Sequence, residues 1–185
     1  SEDDIADGTS YARLQKAKAD AINGGTILSL NGVKFPATQS PSSDPNTLDD
    51  YEEGTWTPRL ELGGVEISTA GGSYEDNGYN GGTYVKIGRR VRLKGLCFLS
   101  KKGTATGAAL ITGLPFIRSS NVPDVTYTYA NVANITISGV LMLTISAGAS
   151  EIIPNAMSTS GTFTQLTDTA FANNTIVRID IEYFA

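Results

Sequence analysis

The 185-residue sequence predicts a mainly β fold, an antiparallel β-sandwich or jelly-roll-like domain preceded by a short N-terminal helix and an extended connector. Three observations lead there. Twenty glycines among many Thr, Asn and Ser signal short strands joined by tight turns. The apolar residues are mostly Ile, Val, Leu, Tyr and Phe, the types that pack well on a pleated surface. The run Thr175 to Phe184 alternates Val177, Ile179, Ile181 and Tyr183 with Arg178, Asp180 and Glu182, the period of two of a half-buried strand.

Residues 1–8 are acidic and read as a frayed segment. Thr9 or Ser10 can cap a helix running to about Asn23, which Gly24 and Gly25 end. Its apolar stripe (Tyr11, Leu14, Ala17 or Lys18, Ala21, Ile22) is narrow, and so short a helix is not stable alone. It needs a neighbour, and copies of itself are the favoured one. This is the first of three segments: a helical piece over 1–25, an extended connector over 26–50 and a β domain over 51–185. The connector carries Pro36, Pro41 and Pro45 among polar residues, and proline restricts its own and the preceding backbone, which stiffens the strap.

Within 51–185, Thr55 to Leu62 alternates Trp56, Pro58, Leu60 and Leu62 on one side, and the proline marks an edge or a strand start. Gly71 to Gly82 reads as a long glycine-rich loop. Thr83 to Ile87 and Arg90 to Ser100 predict a hairpin about Gly88. Further strands are expected over Ala108 to Ile111, Val125 to Tyr129, Asn134 to Val140, Leu141 to Ala147 and Thr175 to Phe184.

The charge balance is 14 basic against 19 acidic residues, and this acidic chain is a poor match for nucleic acid, which demands phosphate neutralisation. A local basic cluster, Lys86, Arg89, Arg90, Arg92 and Lys94, reads first as a solvated strand face and second as a phosphate or acidic-glycan contact. Histidine is absent, which removes the usual general base and zinc nitrogen ligand together. The lone Cys97 sits in the alternation Val91, Leu93, Gly95, Cys97, Leu99 and is expected to be a small buried side chain. No signal peptide is recognisable and no apolar run is long enough to cross a bilayer. The glycine pairs lack the lysine and spacing of a nucleotide-binding loop.

Asp49, Asp50, Glu52 and Glu53 surround Tyr51 just before the only tryptophan, Trp56. Such a run is first a solvated turn ahead of a strand; cation ligation, a glycosidase-like pair and a neighbouring subunit's basic surface are its other readings. No metal or cofactor is expected. Trp56, alternating with apolar residues, is expected in the core. In the glycine-rich loop, Tyr74, Asp76, Asn77, Tyr79 and Asn80 combine aromatic faces that can stack on sugar rings with polar groups that can meet hydroxyls. Packing or turn formation is the first reading of these five positions, and glycan contact the second.

The string FPATQSPSSDPNTLDDYEEGTWTP, followed by GTYVKIGRRVRLKG and ALITGLPF, resembles the C-terminal part of bacteriophage and prophage tail fibres or tailspikes. The opening DIADGTSYARLQKAKADAI is similar to the segment entering such modules, so the resemblance covers most of residues 3–116 and is most specific from Leu48 to Pro58. It implies a virion attachment protein at the distal tail fibre or tailspike, working with other tail components. It further implies a homotrimer whose β-rich domain holds three chains together and binds host-cell surface polysaccharide. It implies no set of ligand residues. The β-helical depolymerase repeat that some relatives carry has no counterpart in this sequence, so binding without catalysis is the expectation. A trimerisation cap without a ligand, and a carboxylate-dependent glycan hydrolase fragment, are the alternatives.

Overall fold

The computed structural model describes residues 27–29, 32–38, 43–44, 47–75, 78–121 and 126–185. The helix expected over 9–23 lies outside them. The chain divides into two compact units, Ser1–Tyr51 and Glu52–Ala185. In the first, β1 (Ile27–Ser29) and β2 (Gly32–Lys34) form an antiparallel hairpin, within the segment that precedes the proline-bearing stretch. The described residues from 35 to 50 carry neither helix nor strand.

The second unit is predominantly antiparallel β. Its strands are β3 (Tyr51–Trp56), β4 (Arg59–Leu62), β5 (Val65–Glu66), β6 (Ser73–Tyr74), β7 (Gly81–Ile87), β8 (Arg90–Lys101) and β9 (Ala109–Thr112). They continue with β10 (Thr126–Tyr129), β11 (Asn131–Ile135), β12 (Val140–Ile145), β13 (Ile153–Met157), β14 (Phe163–Gln165) and β15 (Phe171–Phe184). The largest sheet runs β11-β15-β8-β7-β3, with β6 also pairing β8. A second sheet runs β10-β12-β13-β14, and a third β5-β4-β9. An isolated bridge from Ile111 to Ile152 links the third sheet to the segment entering β13.

Alternation explains the layering. On β8, Val91, Leu93, Cys97 and Leu99 are buried, and on β15 so are Val177, Ile179, Ile181 and Tyr183. They share one core cluster with Leu60 and Leu62 of β4, Ile111 of β9, and Leu141, Leu143 and Ile145 of β12. The opposite face of the β8–β15 pair is charged. Arg90 meets Glu182 at 2.7 Å, and Arg92 meets Asp180 through two hydrogen bonds of 3.2 Å.

Several expected boundaries move, each for a local reason. Thr55 to Leu62 is two strands in two sheets, broken at Thr57-Pro58, although Trp56, Pro58, Leu60 and Leu62 all stay buried. Proline cannot donate to a ladder, which suits the point where the chain leaves one sheet for another. The run Asn134 to Val140 is also split. β11 ends at Ile135 after a register shift beside Asn134 (φ 53°), and Gly139 (φ 105°) turns the chain into β12. A side chain at Gly139 would meet the Met157 carbonyl at 2.1 Å. β13, Ile-Pro-Asn-Ala-Met, has no alternation to announce it and is held by its neighbours on both sides.

Trp56 is buried, as expected, and its seat is specific. Gly82 and Gly95 are direct cross-strand partners on β7 and β8. Gly95 occupies a core-facing place in the row Leu93–Cys97, and the indole fills the space the two missing side chains leave. A Cβ on Gly95 would lie 2.8 Å from Trp56 Cζ2, and one on Gly82 2.4 Å from Nε1. The indole N–H donates to the Lys94 carbonyl at 2.9 Å, so its one polar atom is satisfied. Gly95→Ala is therefore expected to overpack this seat and cost about 1–3 kcal/mol, whereas Trp56→Ala empties it and costs about 3–5 kcal/mol. Urea unfolding followed by far-UV circular dichroism checks both; an unchanged midpoint for either variant contradicts the packing described.

Candidate functional site

The glycine-rich segment between β5 and β7 is built from its ends inward. Ile67–Ala70 forms a single 3-10 turn closed by Gly71, whose φ of 73° suits a residue without a side chain. β6 then pairs with the end of β8, placing Ser73 opposite Lys101 and Tyr74 opposite Leu99. This pairing carries Tyr74 inward.

Tyr74 is 7% exposed. Its phenol oxygen accepts from the Leu60 N–H at 2.7 Å and lies 2.7 Å from Glu66 Oε1, to which it donates. The Arg59 guanidinium sits 4.8 Å from its ring centre. Burial first, and the Glu66 hydrogen bond second, push the phenol well above its ordinary range. Tyr74 thus presents no free ring face to a sugar, because the pairing of β6 with β8 spends the ring on the core.

Asn80 is likewise occupied. Its side-chain oxygen accepts from the Phe98 N–H at 3.2 Å, and its amide nitrogen donates to the Pro58 carbonyl at 3.5 Å. Tyr79, by contrast, is 60% exposed. Asp76 and Asn77 lie outside the described residues. Of the five loop positions, two tie the loop down and one stands clear in solvent.

The acidic residues differ in exposure. Glu52 and Glu53 lie exposed on β3 while Asp50 is buried, and Glu52 accepts a hydrogen bond from the Tyr84 hydroxyl. Among the described residues no group of three acidic or thiol side chains is placed to hold a metal ion. The basic cluster separates too. Lys86 is buried with its ammonium 5.4 Å from the Phe116 ring centre, and Arg89, in the β7–β8 turn, donates to the Ala185 carbonyl and to Ser119. Arg92 and Lys94 border a hollow of about 140 Å³ on the outer face, where both approach Asp180. Their charge is largely answered within the sheet. Cys97 is buried, and that burial pushes its thiol up to about 12, so it remains protonated at neutral pH.

A larger concavity, about 420 Å³, lies elsewhere, walled by residues 136–138, 156, 158, 164–167, 169 and 170. No sequence pattern singles these residues out, since Thr and Ser between apolar residues signal turns.

No family model matches the chain, and no curated protein matches it either. Among solved structures, the crystal structure of Dettilon tailspike protein shares the fold, with a TM-score of 0.58 and 13% sequence identity. The match covers 72% of this chain and 24% of that one, so this chain corresponds to about a quarter of the tailspike. The likeness is one of fold.

The Glu66–Tyr74 contact makes a pH-dependent prediction. Burial raises the Glu66 carboxyl, but hydrogen bonds from Ser68 and Tyr74, with the Arg59 charge, outweigh it and hold the group below the usual carboxylate range. A carboxyl held low when folded adds stability above its unfolded pKa of about 4.3. That contribution is lost as pH falls through the folded value. Glu66→Gln is expected to be less stable than wild type at neutral pH and to lose less on acidification. Urea unfolding at about pH 7 and about pH 3 tests this; equal acid sensitivity in the two proteins sinks the assignment.

Proposed function

We propose that this chain is the C-terminal β domain of a bacteriophage tail fibre or tailspike, a distal virion component that assembles as a homotrimer and binds host-cell surface polysaccharide without cleaving it. The observation that carries the reading is the shared fold with a segment of the Dettilon tailspike. The sequence resemblance centred on Leu48 to Pro58 supports it independently. We read the sheets about one shared core as a β-sandwich.

Assembly draws support from one exposed face. Direct cross-strand partners share a side of a sheet, so the chains of pairing Tyr129–Met142 and Val140–Met157–Phe163 place these residues on one face of the β10-β12-β13-β14 sheet. Tyr127, two residues from Tyr129, joins them. Leu141 and Leu143 point the other way, into the core. Tyr127, Tyr129, Val140 and Phe163 are all exposed, whereas Met142 and its partner Asn155 on the same face are buried. Such a grouped apolar surface suits burial against another chain, here copies of this one.

Binding without turnover is favoured by the state of the reactive groups. No three described acidic or thiol side chains are grouped to hold a metal ion, the thiol is buried, and histidine is absent from the sequence. The cap reading, assembly with no ligand, has its own support in the structural engagement of Tyr74 and Asn80.

Sedimentation equilibrium is expected to return three times the chain mass. Val140→Glu combined with Phe163→Glu is expected to shift the protein toward monomer while circular dichroism stays unchanged. A wild-type monomer at all concentrations overturns the assembly reading. The protein is expected to adsorb to intact host cells and not to cells stripped of surface polysaccharide, with no reducing ends released. A trimer that adsorbs to neither leaves the cap reading, equal adsorption to both moves the receptor off polysaccharide, and released reducing ends make the protein a hydrolase. Tyr79→Ala is expected to weaken adsorption if the glycine-rich loop takes part; wild-type adsorption by this variant moves recognition elsewhere on the domain.

A further inference from the structure

The concavity of about 420 Å³ is built where the inner face of the β10-β12-β13-β14 sheet reaches its β14 edge. Ala156 and Thr164 are cross-strand partners on the same side as Leu141, and they form one wall. The opposite wall is the turn after β11, residues 136–138. The two backbones that frame it are locked together, since the Thr136 N–H donates to the Ala170 carbonyl at 2.9 Å. Leu166 and Ala170, both buried, anchor the site to the core.

Its lining has a consistent chemistry. Thr136, Ser138, Ser158, Thr164, Thr167 and Thr169 contribute hydroxyls, Gln165 an amide, and Ile137 and Ala156 apolar surface. No charged residue lines it. The nearby Asp168 is turned away: Oδ1 accepts from the Gly107 N–H at 2.8 Å, and Oδ2 lies 3.7 Å from Lys102 Nζ. Thr167 and Thr169 hydrogen-bond each other at 2.9 Å, and Gln165 spends its amide nitrogen on the Ala109 carbonyl at 3.0 Å. Among the described residues, the hydroxyls of Thr136, Ser138 and Thr164 bond to no other protein group.

A hydroxyl both donates and accepts and rotates to suit its partner. A rim of such groups around a small apolar patch matches a sugar ring, whose hydroxyls have the same dual character and whose C–H face is apolar. The volume falls within the usual range of small-ligand sites, about 300–1,000 Å³. An uncharged lining offers nothing to balance a carboxylate or phosphate, and burying an unpaired charge there is costly.

The geometry points to this hydroxyl-lined cleft as a subsite for an uncharged stretch of saccharide, distinct from the glycine-rich loop. The inference rests on the polysaccharide-binding reading and specifies where and what kind of sugar. In a trimer the cleft is present three times, so weak individual sites act together on a repeating polymer.

Oligosaccharide fragments of the host's surface polysaccharide, separated by anion exchange into neutral and acidic pools, serve as probes, with saturation-transfer NMR and calorimetric titration as readouts. The neutral pool is expected to bind the wild type. Thr164→Arg and Ser138→Trp, both at exposed positions, are expected to weaken that binding about tenfold or more through loss of the hydroxyl contacts. Thr164→Ser, which keeps the hydroxyl, is expected to retain it. Thermal unfolding of each variant establishes that the fold is intact. Wild-type affinity in both folded cleft variants overturns the location while leaving polysaccharide binding standing. Binding of the acidic pool alone overturns the ligand class. Failure of the wild type to bind the intact polysaccharide or either pool removes the reading beneath the inference and the inference with it.

Discussion

The pairing of β8 with β15 is the constraint on which the second unit depends. Nine consecutive cross-strand pairs, from Ile176–Phe98 to Phe184–Arg90, join residues 78 to 94 positions apart in the chain. One register sends Val91, Leu93, Cys97 and Leu99, with Val177, Ile179, Ile181 and Tyr183, into a common core. The same register sets Arg90 and Arg92 among Asp180 and Glu182 on the outer face. A slip of one residue would reverse both faces at once, burying the charges and exposing the aliphatic row. The rest of the sheet is laid on this pair: β7 follows through a two-residue turn at Gly88 and Arg89, and β11 lies along the other side of β15. Even Ala185 is drawn in, its N–H donating to the Arg89 carbonyl at 2.8 Å.

Within that frame, aromatic side chains occupy space that glycines leave open. Trp56 lies over Gly82 and Gly95, and Tyr84 lies over Gly54, where an added Cβ would come within 2.8 Å of its ring. Tyr84 in turn meets Phe116 edge to face at 5.3 Å between ring centres. Glycine weakens a strand by itself, having no side chain to pack. Covering each gap with a ring recovers the lost contact and ties β3 to β7 and β8, and the segment after β9 to the main sheet.

The structure also divides the aromatic and polar loop residues by what they can still do. Tyr74 and Asn80 satisfy backbone groups of Leu60, Pro58 and Phe98, so their polarity serves the fold. Tyr79 stays in solvent. The uncharged concavity formed by the turn after β11, the end of β13 and β14 draws on segments separated by some twenty to thirty residues, each unremarkable when taken singly. The concavity is therefore a product of edges and turns brought together by the sheets.

The β class, the turn at Gly88, the strands β8, β12 and β15, and the burial of Trp56 and Cys97 are all legible in short windows of sequence. Those features are local: a period of two and a well-placed glycine are visible in a short window, and both follow from side-chain direction and backbone sterics. Tertiary structure alone decided that Trp56 rests on Gly82 and Gly95, that Tyr74 turns inward, and that Lys86 leaves its basic neighbours for the opposite face. It also decided that Ile153–Met157, with its proline and no alternation, becomes a strand between two others. Each of these depends on cross-strand register and on which sheet a segment joins. Such partnerships are long-range, and no periodicity within a single segment encodes them.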